Sequence, residues 1–187
     1  QPGVIRLTRT VRMSFDAPGN LLRAEVFAGF IRSCRRFTYE EAQAVLDGGS
    51  LASGEEALRE KLLEMNDLAE RLRARRRERG MLEMDIPEPH ILTDEEGRTS
   101  GVELRRGDPS HRLIEQFMLA ANEAVANHLL RRRLPYLCRA HDDPDAEALQ
   151  SFRQTARILG HNFPAPGTRQ QIQRFLERLS GRPEAHL

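Results

Sequence analysis

Apolar residues alternate with polar ones from the start of the chain. Ile5, Leu7, Val11, Met13 and Phe15 alternate with Arg6, Thr8, Thr10, Arg12 and Ser14. That period of two predicts a half-buried strand. Asp16, Ala17, Pro18, Gly19 and Asn20 carry turn chemistry, and Leu22, Ala24, Val26, Ala28 and Phe30 alternate again. Residues 4–32 therefore predict a long antiparallel hairpin. Arg9 breaks the apolar face and is read as a bulge or a strand end.

Helical signals follow. Thr38 and Glu41 have the spacing of a capping box, so a short helix should start at Tyr39 and end at Gly48 and Gly49. Ser53 and Glu56 repeat the signal ahead of a helix with Leu58, Leu62, Met65, Ala69 and Leu72 on one stripe. That helix passes into an Arg-rich end, Arg71 to Arg79, and stops at Gly80. Short strands are expected at Ile86–Thr93 and Gly101–Leu104, around a turn at Asp94–Gly97. Asp108 and Pro109 supply an N-cap and a first-turn proline for the longest helix, reaching about Arg133. Its buried side is read as Leu113, Ile114, Phe117, Ala121, Ala124 and Val125. A short strand is expected at Tyr136–His141. Asp143 and Pro144 open a helix with Leu149, Phe152, Ala156 and Leu159 inside, ended by Gly160. Thr168 and Gln171 cap a last helix carrying Ile172, Phe175, Leu176 and Leu179. The class is α+β, an antiparallel hairpin and short strands packed with several helices, and residues 1–187 read as one domain or part of one.

Composition narrows the picture little. The chain has 187 residues, 30% charged and 39% hydrophobic, with a net charge of +1. It can bury one sizeable core and is not a polycation. Lys61 is the only lysine among 29 basic residues. Such an arginine bias reflects GC-rich coding or a need to fork onto phosphate. Cys34 and Cys138 lack metal-type spacing, which suits a reduced, cytoplasmic protein. No apolar run approaches the roughly 18 residues of a membrane span. The chain lacks an initiator Met and stops soon after a helix, so it reads as a segment of a longer one. Nothing in the pattern sets an oligomeric state.

No catalytic apparatus emerges from the residues alone. His111 and His128 lie far apart on one helix with no completing ligand. Asp142, Asp143 and Asp145 sit at a helix start, where capping is their expected work. Gly-rich phosphate loops and serine elbows are missing. Two features remain. Tyr39, in the first turn of a helix beside a strand edge, could stack on a nucleobase or pack on the sheet. Glu115 and Asn122 are seven residues apart and share a helix face, offset by about 20°. With apolar residues running from Phe117 to Ala121, this helix is expected to be covered on most sides. Glu115 would then line a cleft, accepting bonds from a base edge or ribose hydroxyl, or pair with Arg112 or another arginine. The Arg71–Arg79 run is likewise a dipole-compensating helix end or an RNA-facing patch.

Three strings resolve the direction: FAGFIRSCRRFTYEEAQAVLDG at 27–48, SHRLIEQFMLAANEAVANHL at 110–129 and LCRAHDDPDAEAL at 137–149. In this order they resemble the RNB catalytic domain of the RNase II and RNase R family, and the likeness extends over essentially the whole chain. The resemblance implies a processive 3′→5′ exoribonuclease that releases nucleoside monophosphates from a single-stranded RNA 3′ end. It implies magnesium held by aspartates upstream of this segment, and an arginine motif downstream. Neither string occurs here, so the chain alone is expected to bind no metal and to be inactive, with no catalytic residue of its own. By the resemblance Tyr39 and Glu115 engage the terminal nucleotides and help select RNA over DNA, and Arg112, which matches the motif without a distinct role, is expected with them among the RNA-binding residues. Cys34, Arg35, Arg36 and Phe37 depart from the family pattern beside Tyr39. The rival expectation is a non-catalytic RNA-binding or assembly module that kept part of the fold.

Overall fold

The computed structural model describes residues 2–82, 88–105, 107–139, 145–164, 167–179 and 181–182. The element order is β1 (Ile5–Phe15), β2 (Leu21–Arg32), α1 (Tyr39–Leu46), α2 (Glu56–Glu78), β3 (Glu88–Thr93), β4 (Thr99–Arg105), α3 (Pro109–Arg131), α4 (Ala146–Ile158) and α5 (Arg169–Leu179). Two antiparallel two-stranded sheets and five helices make an α+β fold among the described residues. The chain divides into two compact units. One comprises Gln1–Arg75 and Gly107–Cys138, the other Arg76–Arg106 and Arg139–Leu187.

The first unit begins with the expected hairpin. Its register runs without a break through Arg9, opposite Ala28, and shifts instead between Ser14 and Phe15. Arg9 therefore marks neither a bulge nor a strand end. It marks where the apolar face leaves the core: Val11, Met13 and Phe15 are half-buried, while Ile5 and Leu7 are exposed, Leu7 at 91%. The turn is fixed locally and from afar. The Asp16 carboxylate accepts from the Asn20 backbone N–H at 2.6 Å and from its side-chain amide at 2.8 Å. Gly19 has φ +90°, and a Cβ there would stand 3.3 Å from the Arg71 Cβ, so glycine answers both conformation and closeness. Arg71 donates to the Ala17 carbonyl at 3.0 Å and Arg75 to the Asn20 side-chain oxygen at 2.6 Å, fastening the turn to α2.

The core of this unit is Val45, Leu62, Ala69 and Leu113, with Ala42, Leu46, Leu51, Met65 and Phe117 packed against it. The α2 stripe lands as its period requires, with Leu62, Ala69 and Leu72 buried. Its start does not follow the expected cap. The helix begins at Glu56, so Ser53 lies three residues ahead of it, and Glu56 folds back to accept from Gly54 N–H at 3.3 Å. At the other end Gly80, with φ +88°, stops the chain as expected. Helix α3 is capped by Asp108, whose side chain accepts from His111 N–H, with Pro109 in the first turn. Its buried stripe is rotated from the expected one: Ser110, Leu113, Gln116, Ala120 and Ala124 are inside, while Ile114 is exposed. Met118 is exposed too, so α3 is not covered on most sides. Residues 134–139 form no strand, and His141 lies outside the described residues.

In the second unit β3 and β4 pair with Ile91 opposite Val102. Ile86 lies outside the described residues, as do Asp142, Asp143 and Pro144. Asp145 is the N-cap of α4, its carboxylate accepting from Ala148 N–H at 2.6 Å. Thr168 and Gln171 exchange the two capping bonds expected of them, at 3.3 and 2.9 Å. Ala156, Phe163, Ile172 and Phe175 form the core, with Leu149, Phe152, Leu176 and Leu179 against it. Phe152, Phe163 and Phe175 meet edge to face, with centroids 5.1 to 5.7 Å apart.

Candidate nucleic-acid interface

Tyr39 is the first residue of α1. Thr38 Oγ1 accepts from Glu41 N–H at 3.2 Å, and the Glu41 carboxylate accepts from Thr38 N–H at 2.8 Å, a complete capping box. The segment leading into it is braced. The Arg35 guanidinium lies 4.5 Å from the Phe37 ring centre and pairs with Glu41 and Glu55. Two of the residues that depart from the family pattern thus hold the approach to Tyr39 in place.

Tyr39 is 42% exposed. It stacks on His111 of α3, with ring centres 3.8 Å apart and planes 14° from parallel. His111 is held in turn: its Nδ1 lies 2.7 Å from an Asp108 carboxylate oxygen, which also accepts from Ser110 Oγ at 2.7 Å. Desolvation pushes the Asp108 carboxyl up, but bonds from the His111 ring, the Ser110 hydroxyl and the His111 backbone outweigh it and hold the group below its ordinary value. Gln43 Oε1 accepts from Ser110 N–H at 3.1 Å and ties α1 to α3.

Glu115 lies one turn beyond His111 on α3, on the same side. It is exposed, and it makes no hydrogen bond or ion pair among the described residues. Arg112 is half-buried and donates to the Gly107 carbonyl at 2.6 Å, while its Nε is buried without a partner among the described residues. The Arg112–Glu115 ion pair considered from the sequence does not form. Asn122 is exposed like Glu115, as their spacing requires. The structure therefore places Tyr39 and Glu115 on the outer surface of the α1–α3 pair, with Arg112 turned back to the helix start.

His111 is the member that sequence reasoning passed over, having weighed it only as a metal ligand. The signal was present: Asp108 caps the helix and His111 follows at the third helical position, where its backbone and ring both reach the cap carboxylate. The Arg-rich end of α2 is largely engaged. Arg71 pairs with Asp67, Arg73 with Glu70 and Arg77 with Glu177, while Arg75 holds Asn20. Among the described residues no cluster of three or more His, Cys, Asp or Glu could hold a metal ion, and no helix is long and apolar enough to cross a membrane.

The profile of the RNB domain matches residues 1–186, and the chain belongs to that family. Ribonuclease R of Aquifex aeolicus is 35% identical over 190 residues, covering 100% of this chain and 27% of that protein. Ribonuclease R of Thermotoga maritima is 31% identical over 188 residues, covering 97% and 26%. The apo form of Mycoplasma genitalium RNase R superposes with a TM-score of 0.91 at 25% identity, over 100% of this chain and 30% of that one. The same protein in complex with ribose-methylated single-stranded RNA matches equally well. The chain thus spans less than a third of the length of these relatives.

Proposed function

We propose that this chain is a segment of a longer RNase R-like enzyme that hydrolyses RNA from the 3′ end to nucleoside monophosphates. Its part is to contact the single-stranded 3′ end through Tyr39, Glu115 and Arg112, the last also donating to the Gly107 carbonyl at the start of α3. The observation that carries the reading is the exposed Tyr39 ring and the exposed Glu115 carboxylate, which lie within two of the strings that resemble the RNB family. An exposed planar ring can stack on any base, and a free carboxylate can accept from a ribose 2′-hydroxyl, which DNA lacks. Family membership and the match of this whole chain to about a third of RNase R, including its single-stranded RNA complex, support the same assignment.

In this reading magnesium would be held by aspartates elsewhere in the longer protein, where it would supply the chemistry of activating water and neutralising phosphate charge. This segment binds and orients the RNA in this reading, and the hydrolytic step lies with the aspartates of the longer protein. The parent enzyme acts in the cytoplasm, where the exposed thiols of Cys34 and Cys138 stay reduced. The test is direct. The full-length parent should release mononucleotides from 3′-labelled RNA with magnesium, and the purified 187-residue chain should release none. Mononucleotide release by the isolated chain would overturn the division of labour, and an inert parent that still binds RNA would favour a non-catalytic module.

A further inference from the structure

The two stacked rings at the α1–α3 junction are set by separate restraints. Tyr39 is positioned by the capping box that starts α1. His111 is positioned by the 2.7 Å contact of its Nδ1 with Asp108, and Asp108 by the bonds it accepts from Ser110 Oγ and His111 N–H. The Gln43–Ser110 bond then fixes one helix against the other. With ring centres 3.8 Å apart and planes 14° from parallel, one face of Tyr39 is occupied. A base that stacks on Tyr39 can use only the face turned away from His111.

We infer that His111 is a positioning residue for RNA: it holds the Tyr39 ring and closes one of its faces, so that the terminal base stacks on the other face in a single orientation. This rests on the reading of Tyr39 as an RNA contact. The consequence reaches Glu115. It follows His111 by four residues, a rise of about 6 Å along the same side of α3. A base plane fixed by the Tyr39 ring places its ribose in a set relation to that carboxylate. A ring free to turn would let the base stack without bringing the 2′-hydroxyl to Glu115. Loss of His111 should therefore weaken both affinity and the preference for RNA over DNA, although His111 lies on the side of Tyr39 away from the base.

The experiment uses the full-length enzyme and a short RNA with 2-aminopurine at its 3′ nucleotide, beside the matching DNA. His111→Ala should raise KM for RNA about five- to twentyfold with kcat within about twofold, reduce 2-aminopurine quenching, and narrow the RNA-to-DNA ratio. His111→Phe supplies a flat ring at the same place and should restore KM and quenching to within about twofold of the wild type. An effect of Tyr39→Ala together with wild-type behaviour of His111→Ala would overturn this inference alone. No effect of Tyr39→Ala would overturn the reading beneath it, and the inference with it. Should His111→Ala lower the melting temperature, His111→Phe decides: impairment without rescue, in a folded protein, counts against positioning through the ring.

Discussion

The two units use their aromatic residues in opposite ways. In the second unit Phe152, Phe163 and Phe175 are turned inward and meet edge to face, the geometry ring quadrupoles favour inside a core. In the first unit the fully buried residues are aliphatic, Val45, Leu62, Ala69 and Leu113, with Phe117 only half-buried against them. Its one tyrosine on a helix start stays outside, lying nearly parallel to a histidine. A buried ring contributes area removed from water, whereas an exposed ring contributes little to stability and keeps a flat surface for something else. The contrast separates residues that hold the molecule together from residues free to serve a ligand.

The comparison can be broken first at Phe175, which is buried and touches two other phenylalanines. Phe175→Ala should destabilise the chain by about 3–5 kcal/mol, read by urea or thermal unfolding. A loss under about 1 kcal/mol would mean that the aromatic cluster is not a core. A smaller effect on folding, but a selective one on RNA, is expected at the exposed ring. Tyr39→Ala should cost about 1 kcal/mol of stability through the lost stack, and about 1–3 kcal/mol of RNA affinity in the full-length enzyme. Glu115→Ala should change stability by no more than about 0.5 kcal/mol while relaxing RNA-over-DNA preference. Unchanged discrimination with a large drop in melting temperature would place both residues among the structural ones.

The smallest effect concerns acid. Asp16 is held below its ordinary carboxylate value by the bonds from Asn20, and Asp108 by those from His111 and Ser110 against the pull of desolvation. In each case the folded chain binds fewer protons than the unfolded one, so stability rises with pH in this range. The contribution is fully present above the ordinary value of 3.8 and is lost as pH falls through the lowered folded value. Asp16→Asn with Asp108→Asn should flatten the loss of melting temperature between pH 5 and pH 3, and an unaltered slope would refute it.

Much of this organisation was legible in the sequence because it is local. The period of two gave the hairpin, and the spacing Thr38–Glu41 and Thr168–Gln171 gave two helix starts that the side chains then build. What escaped notice depends on partners distant in sequence. The buried stripe of α3 was misjudged by a fraction of a turn, because Ser110 and Gln116 are polar yet inside, and Ile114 is apolar yet outside. Phe163 sits in what pattern alone makes a loop, yet it is a core residue. The Tyr39–His111 stack joins residues on helices far apart in the chain, and no periodicity announces it. Residues 134–139 carry an apolar-polar mix that suits a strand, but they pair with no strand among the described residues.

The first unit is discontinuous along the chain, with Gly107–Cys138 returning to a body begun by residues 1–75. The Gln43–Ser110 bond spans 67 positions, and Leu113 completes a core that starts at Val45. During synthesis the hairpin and α2 can form as they emerge, but their core stays open until the ribosome has also made β3, β4 and the whole of α3. Closure over such separations is slow compared with local helix formation. The surface bearing Tyr39 and His111 is thus assembled late, and a nascent chain stalled before residue 107 carries the tyrosine without its stacking partner.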